Sequence, residues 1–192
     1  MERNDEWVAE AMIGLRSSRG AARLDSSKAL RMLSEREPEL LYPHFDSFAA
    51  LLDQENLVLR WNALLTLANL ARVDEQAKIE RILDRYLSDV WGSSMITAAN
   101  AIRGAVIIAT AIPALIPRVL PAIMRVEEAV YTTAEYRNVA IGHALDGLAA
   151  LAPLVDDARP LRLFAARQLG NRRLATSARA RRFLKTRIVA AA

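Results

Sequence analysis

Apolar residues recur every three or four positions along almost the whole chain, which is the periodicity of an α-helix. In the segments 56–72 and 74–90 they form one broad stripe, and in the second segment charged residues occupy the opposite side. We find no convincing stretch of period-two alternation, which would indicate a half-buried strand. The sequence therefore predicts an all-α fold with about ten helices, each about 10 to 19 residues long.

Short breaks separate the helical stretches and consist of residues that end or start helices. Examples are Glu37-Pro38 and Trp91-Gly92. Asp74 and Ser94 are predicted N-caps, and Gly170 is predicted to follow the end of a helix as its C′ residue. Because the connections are short, we expect consecutive helices to lie antiparallel.

Composition excludes several classes of protein. The chain of 192 residues is 53% apolar and 25% charged, which is ordinary for a globular domain or a short repeat array. It has no cysteine, so disulfide frameworks, thiolate metal sites and cysteine nucleophiles are excluded. Only seven glycines and seven prolines are present, which argues against a turn-dense β-sandwich.

The sequence carries no feature typical of export or of membrane insertion. The residues 1–6 are charged and lead to no apolar segment, so we expect no signal peptide. The most apolar stretch, 104–117, contains two prolines and is shorter than the roughly 20 residues of a membrane span. We interpret it as the buried end of a helix and the turn after it, and expect a soluble cytoplasmic protein.

Alternate helices resemble one another at a period of about 40 residues. Aligning them on a small residue gives five anchors separated by 34, 38, 39 and 40 positions. A period of this length is typical of stacked helical hairpins. The chain is thus predicted to be one array, 1–192, with approximate repeats 1–37, 38–73, 74–113, 114–155 and 156–192, the last a basic capping repeat. The anchors are Ala29, Ala63, Ala101, Ala140 and Ala180.

The second repeat carries further marks of such hairpins. It has Pro43 early in its first helix, Asp53 in the turn, and Arg60 three residues before the anchor Ala63, a spacing that recurs at 137–140. These residues, together with the period, resemble the HEAT and armadillo family of helical-hairpin repeats. The resemblance implies a right-handed α-solenoid of about five antiparallel hairpins, a HEAT-like superhelix whose second helices line a concave surface. It implies no activity.

Charge is distributed unevenly along the chain. Residues 1–157 contain 16 Lys and Arg and 22 Asp and Glu, a net charge of −6, whereas residues 158–192 contain 10 basic residues and no acid, a net charge of +10. One interpretation is a solubilising terminal cap. The other is an electrostatic contact for a nucleic acid, an acidic protein face or a phospholipid surface. Phe183 is the only aromatic residue among the closely spaced arginines of 179–187, so base stacking is not supported.

The concave surface implied by the resemblance is the second candidate for binding. Polar residues beside the anchors would face it, Asp146 among them, and Asn62 and Asn100 hold equivalent places. The structural alternative is that these side chains bond to neighbouring helices or to water. The candidate contact residues on the concave face or at the basic end are Arg31, Asn62, Asn100, Arg103, His143, Arg179, Arg181, Arg182 and Lys185.

Signs of catalysis are weak. The two histidines, His44 and His143, are about a hundred residues apart, and the motifs of zinc proteases, serine hydrolases and nucleotide-binding loops are missing. The adjacent acids Glu127-Glu128 and Asp156-Asp157 point to different helix faces, so we interpret them as solvated charges. We predict no catalytic, metal or cofactor site.

The function favoured by these observations is a non-enzymatic scaffold that binds a protein partner through its concave face and basic end. The alternative is a nucleic-acid-binding solenoid that uses the Arg-rich last repeat. It would resemble, in architecture only, the HEAT-like alkylpurine DNA glycosylases. A third possibility is an enzyme subunit in which the array holds a substrate while another chain acts.

Overall fold

A computed structural model describes residues 2–17 and 19–186 of the chain. Helices dominate, and no described residue lies in a β-strand, so the all-α prediction is confirmed. The chain divides into two compact units, unit 1 (Met1–Tyr86) and unit 2 (Leu87–Ala192). This division falls within the predicted third repeat, 74–113.

Unit 1 is built around the contact between two long helices. The second helix, α2, packs against α1 on one side and α5 on the other, while the short helix α4 packs against α5. Leu30, Phe45, Leu64 and Tyr86 are completely or almost completely buried there, and the Tyr86 hydroxyl donates to the Leu64 carbonyl over 3.0 Å. The helices are α1 (Glu2–Leu15), α2 (Gly20–Ser34), α3 (Pro38–Leu41), α4 (Phe45–Ala49), α5 (Leu57–Leu70) and α6 (Lys78–Leu87).

In unit 2, α9 lies between α7 and α11, with α8 against α7 and α9, and α10 against α11. Small residues make the α7–α9 contact close. A Cβ on Gly147 would lie 3.0 Å from Val106 Cγ2 and 3.2 Å from Ile102 Cγ2. The helices are α7 (Met95–Ala111), α8 (Ile116–Met124), α9 (Ala134–Leu151), α10 (Arg159–Arg167) and α11 (Leu174–Lys185).

The predicted N-cap Ser94 is confirmed, whereas Asp74 caps its helix from four residues before the first helical residue, Lys78, and is not itself the N-cap residue. The Ser94 hydroxyl accepts from the Thr97 N–H at the start of α7. The Asp74 carboxylate accepts from the N–H groups of Lys78 and Ile79 over 2.9 and 2.8 Å, and from the Tyr42 hydroxyl over 2.6 Å. Asp74 thus joins the start of α6 to an earlier part of unit 1. Burial and this hydrogen bond raise the pKa of Tyr42.

The prediction for Gly170 is wrong. Gly170 ends a 3-10 turn, Gln168–Gly170, that continues directly from α10. No glycine within 2–17 and 19–186 has a positive φ, so Gly170 does not adopt the left-handed conformation of a C′ residue. The 3-10 turn tightens the end of the helix and makes a left-handed residue unnecessary.

The apolar stretch 104–117 is the end of a helix and a turn, as predicted. The helix α7 ends at Ala111, and Pro113 begins a 3-10 turn that leads into α8. Among the described residues, no helix is both long enough and apolar enough to cross a bilayer.

Candidate partner-binding surface

The candidate residues of the last two predicted repeats meet where α9 and α11 run side by side. Thr176 Oγ1 donates to the Asn138 carbonyl over 2.7 Å, and this bond holds α11 close to α9. Gly142 makes the approach possible, because a Cβ there would lie 3.1 Å from both Thr176 Oγ1 and an Arg179 guanidinium nitrogen. The Arg179 side chain therefore lies directly against α9.

Asp146 on α9 is shared by two arginines of α11. One of its carboxylate oxygens forms an ion pair with Arg179 Nε at 2.8 Å, and the other accepts a hydrogen bond from an Arg182 Nη over 3.4 Å. The Arg179 side chain is 33% exposed and the Arg182 side chain 73% exposed, so the first is held in place and the second extends towards solvent. We call Asp146, Arg179, Arg182 and His143 the α9–α11 cluster.

His143 lies three residues before Asp146 on the same face of α9 and is exposed. Partial burial of the ring lowers its pKa, and the nearby Arg179 lowers it further, whereas Asp146 opposes the shift. His143 is therefore neutral at pH 7 and offers one donor and one acceptor nitrogen. The cluster presents two guanidinium groups, one carboxylate and one neutral imidazole.

The strongly basic segment does not form a uniformly basic surface. Of the nine Lys and Arg residues within 158–186, five pair with a carboxylate, and the partners lie within 127–157, just before the segment. The pairs are Arg159–Asp157, Arg167–Glu127, Arg173–Glu135, Arg179–Asp146 and Arg182–Asp146. Four carboxylates thus pair with five of the nine cations, and the charge excess seen in the sequence is partly matched locally.

Two of the predicted contact residues remain without an acidic partner at this end. Arg181 and Lys185 are exposed, and neither makes an ion pair with another residue in the described part of the chain. Together with Ala178 and Arg182 they line a shallow depression of about 440 Å³ on the outer side of α11. Both cations are thus available to attract an anionic group.

The interpretation of Glu127 as a solvated charge is wrong. Its carboxylate accepts from an Arg167 Nη over 2.7 Å and from Gln168 Nε2 over 2.5 Å. Gln168 in turn accepts from Asn171 over 2.9 Å. Glu127 therefore joins the end of the preceding hairpin to α10, forty residues along the chain.

The two asparagines at equivalent sequence positions have different partners. Asn62 Nδ2 donates to Ser27 Oγ over 2.8 Å and so connects α5 to α2, whereas Asn100 Nδ2 donates to the Ile96 carbonyl of its own helix over 2.9 Å. Asn69 repeats the first arrangement with Ser34 over 2.9 Å. Asn62 thus joins two helices, in line with the structural alternative raised by the sequence, whereas Asn100 bonds within its own helix.

The remaining candidates lie apart from the cluster. Arg31 pairs with Glu35 one turn away in α2, at 2.5 Å. Arg103 is exposed on α7, and no hydrogen bond or ion pair connects it to another described residue. In unit 2 the structure thus brings together His143, Arg179 and Arg182, but no hydrogen bond or ion pair among the described residues joins them to Asn100 or Arg103.

The sequence alone does not indicate the central position of Asp146. It is one of several polar residues expected on the same surface, and nothing local marks it as the partner of two arginines. The available signal is the three-residue spacing of Arg179 and Arg182, which places both on one face of α11. Within the described ranges, no group of His, Asp and Glu side chains is arranged to hold a metal ion.

Comparison with known proteins adds no assignment: no protein family and no curated protein sequence matches this chain.

Proposed function

We propose that this chain is a HEAT-like array of five helical hairpins that binds a protein partner and catalyses no reaction. Support for the array comes from the sequence period and from the places of the anchors. Each anchor lies in a longer helix, and four of them, Ala63, Ala101, Ala140 and Ala180, are almost completely buried. These helices pack on one another in chain order within each unit, as α2 on α5 and α7 on α9 on α11.

The observation that carries the choice of partner is the partial local neutralisation of the basic segment. Nucleic acid binds to cations that are free to replace counterions along the phosphate backbone. Here five of nine cations already have a carboxylate partner. A surface of mixed charge, with oriented donors and acceptors, is typical of a protein–protein contact, in which such pairs select the partner.

We place the contact on the α9–α11 cluster, with Arg181 and Lys185 at its edge. In this proposal Arg182, whose guanidinium extends towards solvent, meets an acidic or carbonyl group of the partner. Neutral His143 supplies one further hydrogen bond. We assign the protein to the cytoplasm, which is consistent with its lack of cysteine.

Affinity purification of the tagged chain from nuclease-treated lysate, read out by quantitative mass spectrometry, tests the proposal. The variant Arg179→Gln/Arg182→Gln should recover a specific protein at least about tenfold less, because two charge-assisted contacts are lost. Arg159→Gln is the matched control, since Arg159 is an exposed, paired arginine of unit 2 outside the cluster. Equal recovery by the cluster variant and the wild type would contradict the proposed surface.

Nucleic-acid binding is the second candidate, favoured by the cations that have no acidic partner. Within 158–186 these are Arg162, Arg172, Arg181 and Lys185. If all four contact phosphates, the logarithm of the association constant should fall linearly with the logarithm of the salt concentration. The slope should be no steeper than about −3.6. A filter-binding titration that finds affinity with this slope would favour nucleic acid over a protein partner.

A further inference from the structure

The first hairpin has an apolar groove between α1 and α2 that no described side chain fills. The groove measures about 520 Å³ and is lined by Trp7 and Ile13 together with small residues. Trp7 is 42% exposed and Ile13 is 72% exposed. The charged side chains of its lining are both acidic, Glu10 and Asp25, and neither has an ion pair with another described residue. We call this surface the head groove.

The last helix has an outward face of the opposite charge. Leu174, Ala178, Arg181 and Lys185 follow one another at intervals of four, three and four residues, so they lie on one side of α11. Leu174 is 81% exposed, and Ala178 leaves space for a bulky group beside it. We call this surface the tail face.

We propose that copies of this chain associate head to tail, with the tail face of one copy bound in the head groove of the next. Leu174 and Ala178 would cover Trp7 and Ile13, which removes apolar surface of both copies from water. The two cations of the tail face would meet the two acids of the head groove, and neither pair has a competing ion-pair partner among the residues that the structure describes.

Charge also disfavours the two symmetric dimers, in which head groove meets head groove or tail face meets tail face. If two head grooves faced each other, Glu10 and Asp25 of one copy would meet the same acids of the other copy. If two tail faces met, Arg181 and Lys185 would meet the same cations of the other copy. Like charges in contact are unfavourable, so only the head-to-tail pairing is complementary.

The contact is predicted to be weak and to depend on salt. It involves one groove and one helix face, which is small for a stable interface, so we expect a dissociation constant of about 10–100 µM. Because each copy keeps a free head and a free tail, association continues beyond dimers unless the ring closes. High salt screens the exposed pairs and weakens the contact.

The inference goes beyond the proposed function and does not rest on it, although both use Arg181 and Lys185. Self-association is measured on the purified chain alone, whereas the proposed function is measured by recovery of another protein. If self-association is not found, the proposed binding of another protein is therefore not contradicted, and the reverse also holds.

Sedimentation velocity of the full-length chain, from about 5 to about 500 µM and at low and high salt, is the test. The head variant Glu10→Lys/Asp25→Lys and the tail variant Arg181→Glu/Lys185→Glu change only exposed residues, so both should remain folded. Each variant alone should self-associate at least about tenfold more weakly than the wild type. An equimolar mixture of the two should associate again, because each reversed surface then finds its complement.

Two further variants separate the contact from a general effect of net charge. Glu39→Lys/Asp46→Lys and Arg137→Glu/Arg172→Glu make the same changes of charge at exposed positions elsewhere in units 1 and 2. Both should associate like the wild type. The inference is overturned if the wild type stays monomeric at the highest concentration, if these controls lose association as strongly, or if the mixture fails to associate.

Discussion

At the scale of single residues, Asp146 has the largest influence on the candidate surface. It pairs with Arg179 and Arg182, and it acts on His143 through the field of its carboxylate. Exposed ion pairs of this kind contribute about 0–1 kcal/mol to stability, so their value lies in orientation rather than in holding the fold together. Asp146 fixes one guanidinium against α9 and leaves the other extended towards solvent.

The pKa of His143 is predicted to respond in opposite directions to the loss of its two charged neighbours. Arg179→Gln should raise it, because a repelling cation is removed, and Asp146→Asn should lower it further, because an attracting anion is removed. Histidine resonances followed by NMR over pH 4 to 9 measure both shifts, with His44 of unit 1 as the internal reference. An unchanged or lower pKa in Arg179→Gln would contradict the geometry.

The same shift has a consequence for stability. The pKa of His143 is lowered in the folded chain, so as pH falls below about 6.5 the unfolded chain takes up this proton first. The contribution of His143 to stability is thus present above that pH and is lost below it. In His143→Gln, the free energy of unfolding should therefore fall less than in the wild type as the pH is lowered below about 6.5. Urea denaturation at several pH values measures this.

At the scale of helices, the packing in unit 2 depends on the absence of a side chain at Gly147. The nearest Val106 and Ile102 methyl carbons lie 3.0 and 3.2 Å from the position of a Cβ, so α7 and α9 touch closely there. A larger residue must separate the helices or displace two well-packed side chains.

Gly147→Leu is therefore predicted to destabilise the chain by about 1–3 kcal/mol through overpacking. Urea denaturation followed by circular dichroism measures the loss. Gly170→Ala is the matched control, because no atom lies within 4 Å of a Cβ there and φ is not positive. It should be neutral or slightly stabilising. Equal stability of the two variants would mean that Gly147 does not set the distance between the helices.

The helices were predictable where their determinants are local. Ser94 caps its helix as expected, because an N-cap depends on residues only a few positions away. Long-range pairing could not be predicted in the same way. Asn62 and Asn100 match in sequence, yet Asn62 bonds to Ser27 on another helix, 35 residues earlier, while Asn100 bonds within its own helix.

The same reason explains why the basic segment was only partly understood from sequence. Four of its five paired arginines find carboxylates that are 33 to 40 residues away, as in Arg179–Asp146 and Arg167–Glu127. A count of charges along the chain separates such partners into different segments. The cations that remain without acids, Arg162, Arg172, Arg181 and Lys185, could be identified only once these pairs were known.

At the scale of the whole molecule, the proposed function requires that five hairpins form one open array. Such an array works by offering a binding surface. Such an array, with neighbours about 10 Å apart, extends about 50 Å. Its longest helix, α9, has 18 residues and is about 27 Å long. The largest distance across the array should therefore be about 60 Å. A compact domain of 192 residues has a radius of gyration of about 16 Å and a largest distance of only about 42 Å.

Small-angle X-ray scattering of the full-length chain, at low protein concentration and high salt to suppress association, distinguishes these shapes most directly. An open array of five hairpins predicts a pair-distance distribution with a tail that reaches about 60 Å. A symmetric distribution that ends near about 42 Å would mean a closed bundle and would contradict it.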